Sequence, residues 1–138
     1  MATTKIWKIK NRFDNVIDYV SNKDKTDNKK YVSGINCLPE TAFKEMSIVK
    51  KQYNKTGGIL GFHAYQSFKG CEVTSDEAHE IGIRLAEELW GDRFQVVVTT
   101  HTNTRNVHNH FVINSVSFVD GKKYYDNKAK YAIMRKVS

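Results

Sequence analysis

The 138-residue sequence has few residues that cross-link or break a chain: two cysteines, one proline and eight glycines. Cys37 and Cys71 lie far apart without metal-type spacing, which favours a reducing compartment and thiols without a structural role. Scarce proline and glycine, together with 40% hydrophobic residues, argue against a long disordered segment. The length fits one domain, which we place at residues 1–138.

Long apolar runs are also missing. No stretch approaches the roughly 18 residues that a membrane helix needs, and the first ten residues contain no apolar signal core. The sequence therefore predicts a cytoplasmic protein with no membrane partner.

Acidic residues are outnumbered by basic ones, 15 against 22, which gives a formal charge of +7. A positive surplus attracts polyanions through Coulomb forces and counterion release. The composition thus favours a nucleic acid as the partner.

Hydrophobic periodicity and turn signals predict an order of β-α-β-α-β-α-β-β-β, followed by a last helix from Asn127. The expected strands are 5–10, 31–35, 59–68, 94–101, 108–118 and 123–125. The expected helices are 13–20, one from Pro39 to the Thr56-Gly57-Gly58 stop, and one from the Thr74/Glu77 capping box to Trp90. The order indicates an α+β fold with a largely antiparallel central sheet.

Three of the five histidines, His101, His108 and His110, fall within ten residues. Residues two apart on a strand point to the same face, and a hairpin through residues 102–107 would bring His101 beside the pair. Three neutral imidazoles hold a divalent ion while leaving positions open for water or a phosphate oxygen. Imidazole suits Zn²⁺, Mn²⁺ and Ni²⁺, whereas Mg²⁺ prefers oxygen. Ordinary surface or core histidines are the alternative, and we expect His79 to be a surface residue.

Three stretches resemble, in order along the chain, the motifs of the relaxase/mobilisation nuclease family of plasmid and conjugative-transposon proteins. Residues 16–26 resemble the first motif, whose tyrosine is the nucleophile; residues 66–74 the second; and residues 101–114 the paired-histidine third. The resemblance implies a histidine-hydrophobe-histidine nuclease fold with helices packed on one face of the sheet. It also implies a bound divalent metal, Mg²⁺ or Mn²⁺ being the expected ion and Zn²⁺ or Ni²⁺ alternatives.

The resemblance further implies that Tyr19 nicks one DNA strand at a transfer origin and forms a 5′-phosphotyrosine link. It is the resemblance that selects Tyr19 among seven tyrosines, since helical spacing also fits Tyr19 to the apolar side of its helix. Accessory mobilisation proteins are possible further partners. Asn109 stands where most family members have an apolar residue between the paired histidines. Asn103 stands two positions after the first histidine, where the family often has an acidic residue. An amide cannot act as a base, so the general base that would activate the tyrosine is unassigned. Family members are longer, so we expect the chain to be truncated at its C-terminus.

Other residues are candidates for handling DNA. Ser67 shares a strand face with His63 and Tyr65 and could donate to a phosphate, or lie at a solvated sheet edge. Glu72 could orient a histidine or accept the tyrosine proton, or lie in a turn. Residues 22–30 are predicted to form a mobile basic loop, whose lysines could contact phosphates of single-stranded DNA or be merely solvated. The candidate phosphate contacts in this loop are Lys23, Lys25, Lys29 and Lys30, and Arg105 is another candidate near the metal.

Three other functions fit parts of the pattern. A rolling-circle replication initiator also pairs histidines with a tyrosine, although its tyrosine usually follows the histidines. A metal-dependent nuclease could use activated water and make no tyrosine link. A non-catalytic basic DNA-binding module would use its histidines structurally and would never cleave DNA.

Overall fold

The computed structural model describes residues 3–70 and 73–124. Its centre is a five-stranded antiparallel sheet with strand order β1-β3-β5-β4-β2. The strands are β1 (Thr3–Ile9), β2 (Val32–Ile35), β3 (Gly61–Ser67), β4 (Val96–His101) and β5 (His108–Asn114). The helices are α1 (Phe13–Val20), α2 (Ala42–Gln52) and α3 (Ser75–Trp90), with a 3₁₀ turn at Pro39–Thr41. The predicted α+β class and antiparallel sheet are confirmed.

The helices, expected on one face of the sheet, are divided between its two faces. Val96 and Val98 of β4 point into a core with α3, while Val97 points into a second core with α1 and α2. Successive strand residues face opposite sides, so an uninterrupted Val-Val-Val run is stable only where both sides are covered. This run was the sequence signal for two layers of helix.

The second helix differs from its prediction at both ends. Pro39 opens a 3₁₀ turn, and the α-helix ends at Gln52. Phe43 and Ile48, although apolar, are exposed. The apolar residues of α2 that are buried are Ala42, Met46 and Val49.

The region after β5 is less regular than the strands predicted at 108–118 and 123–125. β5 ends at Asn114, and one isolated bridge joins Val116 to Lys123. Residue 125 and the predicted helix from Asn127 lie outside the described residues. The Thr74/Glu77 capping box is confirmed, with both reciprocal hydrogen bonds present. Within residues 3–70 and 73–124, no helix combines the length and apolar character needed to cross a bilayer.

Candidate active site

The register of the sheet brings the three predicted histidines together on the face that carries α1. His101 of β4 lies directly opposite His108 of β5, and His110 follows two residues along β5. The imidazole centroids are 5.1 Å apart for His101 and His108, 5.0 Å for His108 and His110, and 4.3 Å for His101 and His110. One ring nitrogen from each lies within 4.8 Å of the others, so the cluster could hold a metal ion.

Two of these imidazoles are oriented by backbone carbonyls. His101 Nε2 donates to the Val20 carbonyl at 2.9 Å, and His108 Nδ1 donates to the Asn106 carbonyl at 3.0 Å. A carbonyl oxygen only accepts, so these nitrogens carry the ring protons. The opposite nitrogens, Nδ1 of His101 and Nε2 of His108, therefore retain lone pairs, as a metal ligand requires.

His110 is held by a fourth histidine that sequence reasoning did not select. Nδ1 of His110 lies 2.7 Å from Nε2 of His63, on the neighbouring strand β3. His63 was noted only as sharing a strand face with Tyr65 and Ser67. The alternation of strand residues thus showed which face His63 occupies. Only the strand order β3-β5-β4 shows that this face lies beside the histidine cluster.

The remaining nitrogen of His110, Nε2, is buried and has no hydrogen-bond partner among the described residues. Leaving a buried polar atom unpaired costs on the order of 1–3 kcal/mol. A cation between the three histidines would supply the missing partner. The unpaired atom and the all-nitrogen donor set therefore fit a divalent metal.

Burial sets the charge state of His101 and His110, and of His63 behind them. It lowers the pKa of His101 to about 4, an effect that the Val20 carbonyl partly opposes. Burial, followed by the charges of neighbouring imidazoles, lowers the pKa of His110 to about 2 and that of His63 to about 4. These three rings are neutral near pH 7, the form in which imidazole binds metals.

Tyr19 lies beside the cluster and outside the apolar side of α1. Its side chain is 54% exposed, whereas the buried residues of α1 are Phe13, Ile17 and Val20. Its ring centroid is 5.9 Å from that of His101 and 6.4 Å from that of His110. The hydrogen bond from His101 to the Val20 carbonyl fixes the end of α1 above these rings.

The predicted basic residues do not all lie near Tyr19. Lys25 Nζ is 5.3 Å from the Tyr19 ring centroid, and the Lys25 carbonyl accepts from the amide of Thr102, after β4. Lys30 instead lies 3.8 Å from Asp76, at the start of α3. The segment expected to be a mobile loop is folded into hydrogen-bonded turns around the buried Thr26. The other predicted contacts, all exposed, are Lys23, Lys29 and Arg105.

The two remaining predicted residues differ in what can be said of them. Ser67 lies directly opposite His108 in the β3–β5 register and shares its face of the sheet. Its hydroxyl is therefore one strand away from the histidine cluster. Glu72 lies outside the described residues.

Asn109, where the family pattern has an apolar residue, faces the other side of the sheet. Its amide nitrogen donates to Gln66 Oε1 and to the Ala78 carbonyl, and its oxygen accepts from Thr100 at 2.6 Å. Any side chain at Gly82 of α3 would collide with Asn109, since its Cβ would lie 2.8 Å from Nδ2. The polar residue is thus satisfied in a closely packed site.

His79, predicted to be a surface residue, is half-buried and belongs to the same network. Nδ1 of His79 lies 2.8 Å from Thr100 Oγ1, and Nε2 lies 2.7 Å from Ser33 Oγ. Thr100 donates to Asn109, so it accepts from His79, which in turn accepts from Ser33. Burial lowers the pKa of His79, and the nearby Asp76 opposes that effect.

Comparison with known proteins identifies the class to which this sheet and histidine cluster belong. The family described as "Relaxase: MobA/VirD2-like, nuclease domain" matches residues 19–138, beginning at Tyr19. The chain belongs to this family.

Among curated proteins, the chain is similar to "Protein rlx" of Staphylococcus aureus, with 36% identity across all of this chain and 41% of that protein. A second S. aureus "Protein rlx" is 39% identical over 93% of this chain and 37% of the relative. The "Group II intron-interrupted relaxase LtrB" of Lactococcus lactis subsp. cremoris is 28% identical over 80% of this chain and 24% of the relative. The chain spans at most about two-fifths of the length of these relatives.

Proposed function

We propose that this chain is the nuclease domain of a DNA relaxase that nicks one strand at a transfer origin and keeps the cut end as a 5′-phosphotyrosine. The observation that carries the proposal is the placement of the half-exposed Tyr19 within 6.4 Å, ring centre to ring centre, of two imidazoles of the cluster. Family membership supports the same class of activity. The substrate would be single-stranded DNA at the cleavage site.

The reaction is a transesterification. The Tyr19 hydroxyl loses its proton as its oxygen bonds to phosphorus, and the bond from phosphorus to the 3′ oxygen breaks. The 3′ oxygen takes up a proton and leaves as a free hydroxyl. One phosphate ester replaces another, so the strand end stays attached and can be rejoined.

His101, His108 and His110 would hold the divalent ion. When bound, the ion offsets phosphate charge and stabilises the transition state. The protein's own part is orientation, because the three donor rings are held in place by hydrogen bonds through their other nitrogens. The lowered pKa values of His101 and His110 keep these two rings neutral near pH 7, which makes their lone pairs available.

His63 is proposed as a positioning residue for this site. If Nε2 of His110 binds the metal, Nδ1 of that ring carries the proton and donates to His63 Nε2. This is the place that a carboxylate or carbonyl commonly takes behind a metal-ligating histidine. His63 would thus have an orienting role of the kind that the sequence suggested for Glu72, which lies outside the described residues.

Lys25 and Ser67 are the best placed of the predicted DNA contacts. Lys25 lies over the Tyr19 ring, and Ser67 lies opposite His108. A phosphate between Tyr19 and the histidines would have a cation and a hydroxyl within reach of its oxygens. Lys30 is a weaker candidate because it pairs with Asp76.

The testing experiment uses the chain with single-stranded DNA carrying the transfer origin of its own element, with Mn²⁺ or Mg²⁺. A denaturing gel should show a covalent protein–DNA species that requires the metal, and peptide mapping should place the DNA on Tyr19. Mapping also tests Tyr65, whose ring is 6.2 Å from that of His110. Cleavage without any adduct would favour the water-using nuclease instead.

A further inference from the structure

A large aromatic side chain lies exposed on the sheet beside the histidine cluster. Trp7 is on β1, an edge strand, and 44% of its surface is exposed. Aromatic side chains of this size usually contribute to stability or binding by being buried in a core or an interface. An exposed Trp on a sheet face, next to a candidate active site, is therefore a feature to be explained.

Trp7 is joined to the cluster by aromatic contacts. It lies opposite His63 in the β1–β3 register, with ring centroids 4.4 Å apart, and its ring is 6.3 Å from that of Tyr65. Tyr65 is in turn 6.2 Å from His110. A continuous band of rings therefore runs across the sheet from the candidate metal site to the edge at Trp7.

This edge is also positively charged. The first 13 residues carry Lys5, Lys8, Lys10 and Arg12, and the first acidic residue is Asp14. Lys5 is exposed, lies two residues from Trp7 on the same face, and is opposite Tyr65 in the register. Lys8 alternates to the opposite face of β1, so Lys5 is the lysine of this strand that lies beside the ring. An exposed ring with a lysine beside it is a pattern by which proteins hold unpaired bases, since every base stacks and every phosphate attracts a cation.

We propose that Trp7, together with Tyr65 and Lys5, forms a stacking platform for an unpaired nucleobase of the DNA strand that reaches the histidine cluster. The DNA identity of the ligand rests on the proposed function. Trp7 and Tyr65 present the rings, and Lys5 contacts the phosphate. Double-stranded DNA would not engage the platform, because its base faces are already stacked.

A purely structural role, in which Trp7 only covers His63, makes different predictions. Packing over His63 needs only a large apolar side chain, which leucine supplies, whereas stacking on a nucleobase needs an aromatic ring. W7F and W7L therefore separate the two roles, since both keep bulk over His63 and only W7F keeps a ring. Phe118, which is exposed and lies beyond the opposite end of β5, provides the control F118L.

The experiment measures binding of the intact chain to an oligothymidylate in EDTA, so that cleavage does not intervene. The chain has two tryptophans, and Trp90 is only 1% exposed, so fluorescence changes on binding report Trp7. We expect quenching on binding single-stranded DNA and none with a duplex. By anisotropy of labelled DNA, W7L should bind about 5- to 100-fold more weakly, while W7F and F118L stay within about twofold of wild type.

An oligonucleotide of abasic sugar-phosphate units completes the test. On this ligand W7L and wild type should bind equally, because nothing is left to stack. If oligothymidylate binds without quenching Trp7 and W7L binds it normally, while the chain still cleaves transfer-origin DNA with Mn²⁺, the platform is wrong and the relaxase proposal stands. If no single-stranded DNA binds at all, both fail. Loss of metal binding in W7L together with equal weakening on abasic DNA would assign Trp7 the covering role and overturn the platform.

Discussion

His63 and His110 are hydrogen-bonded ring to ring, Nε2 to Nδ1, at 2.7 Å across two neighbouring strands. The contact leaves Nε2 of His110 as a buried atom without a partner among the described residues. The two ring nitrogens of His110 are thus divided: Nδ1 is bonded to His63, and Nε2 is left for a metal. The arrangement gives His63 a role that can be separated from those of the three donors.

Replacing His63 should weaken metal binding without removing a donor. We expect His63→Leu to reduce affinity for Mn²⁺ or Zn²⁺ by about 10- to 100-fold, the usual cost of losing an orienting partner. His63→Gln should recover part of the loss, because its amide oxygen can accept from His110. Isothermal titration calorimetry measures both. Equal affinities for wild type and His63→Leu would contradict the positioning role, provided the variant's circular dichroism is unchanged.

Replacing Tyr19 should separate chemistry from metal binding. In Tyr19→Phe the ring and its packing remain while the attacking oxygen is lost, so the covalent adduct should disappear. Metal affinity should stay within about twofold of wild type. The matched control is Tyr53→Phe, since that hydroxyl contacts the Phe118 and Val119 carbonyls, beyond the end of β5. An adduct that persists in Tyr19→Phe would assign the nucleophile to another residue.

A metal held by the folded state should stabilise it. At a free concentration about 100 times the dissociation constant, the gain is about 2.7 kcal/mol. Differential scanning calorimetry of wild type with and without Mn²⁺ or Zn²⁺ should show this as a rise in Tm that EDTA reverses. His110→Ala should show little rise. The metal site would be refuted by an identical rise in wild type and His110→Ala.

Lys50 predicts a pH dependence of stability. Lys50 is buried, and its Nζ lies 2.5 Å from Asn114 Oδ1 and 4.5 Å from the Phe13 ring centroid. Burial, followed by the charge of Lys123, lowers the pKa of Lys50 from 10.5 to about 8. Between those values the unfolded chain binds more protons than the folded one, so the stability contributed by this group rises with pH.

The matched variant is Lys50→Met, which removes the titrating group. Between pH 7 and pH 9.5, the free energy of unfolding of wild type should rise relative to Lys50→Met by about 2 kcal/mol. Urea unfolding at both pH values measures the difference between the two proteins, which cancels groups that they share. A difference that does not change with pH would mean that Lys50 titrates near its ordinary pKa when folded.

The buried hydrogen bonds of Asn109 predict that the apolar residue favoured by the family pattern would destabilise this protein. Asn109→Leu leaves Gln66 Oε1 and the Ala78 carbonyl without their donor, and should lower the free energy of unfolding by about 2–4 kcal/mol. Adding Gln66→Leu should cost less than the sum of the two single changes, because both polar partners are then gone. Urea unfolding of the three variants checks the cycle. Strict additivity would show that Asn109 and Gln66 are not coupled.

The sequence by itself determined the order and approximate place of the five sheet strands and three helices, the capping box before α3, and the paired histidines on one face of β5. Each depends on neighbours within a few residues, where periodicity and side-chain chemistry decide. The resemblance added Tyr19, which local spacing could not select.

Only the tertiary structure decided which strands lie side by side. The order β1-β3-β5-β4-β2 brings His63 to His110 and Trp7 to His63, and it covers both faces of β4. A strand's alternation fixes which of its residues share a face, but it carries no record of the neighbouring strand or its register. The contacts of His63 with His110 and with Trp7, each between residues about fifty positions apart, therefore follow only from the folded structure.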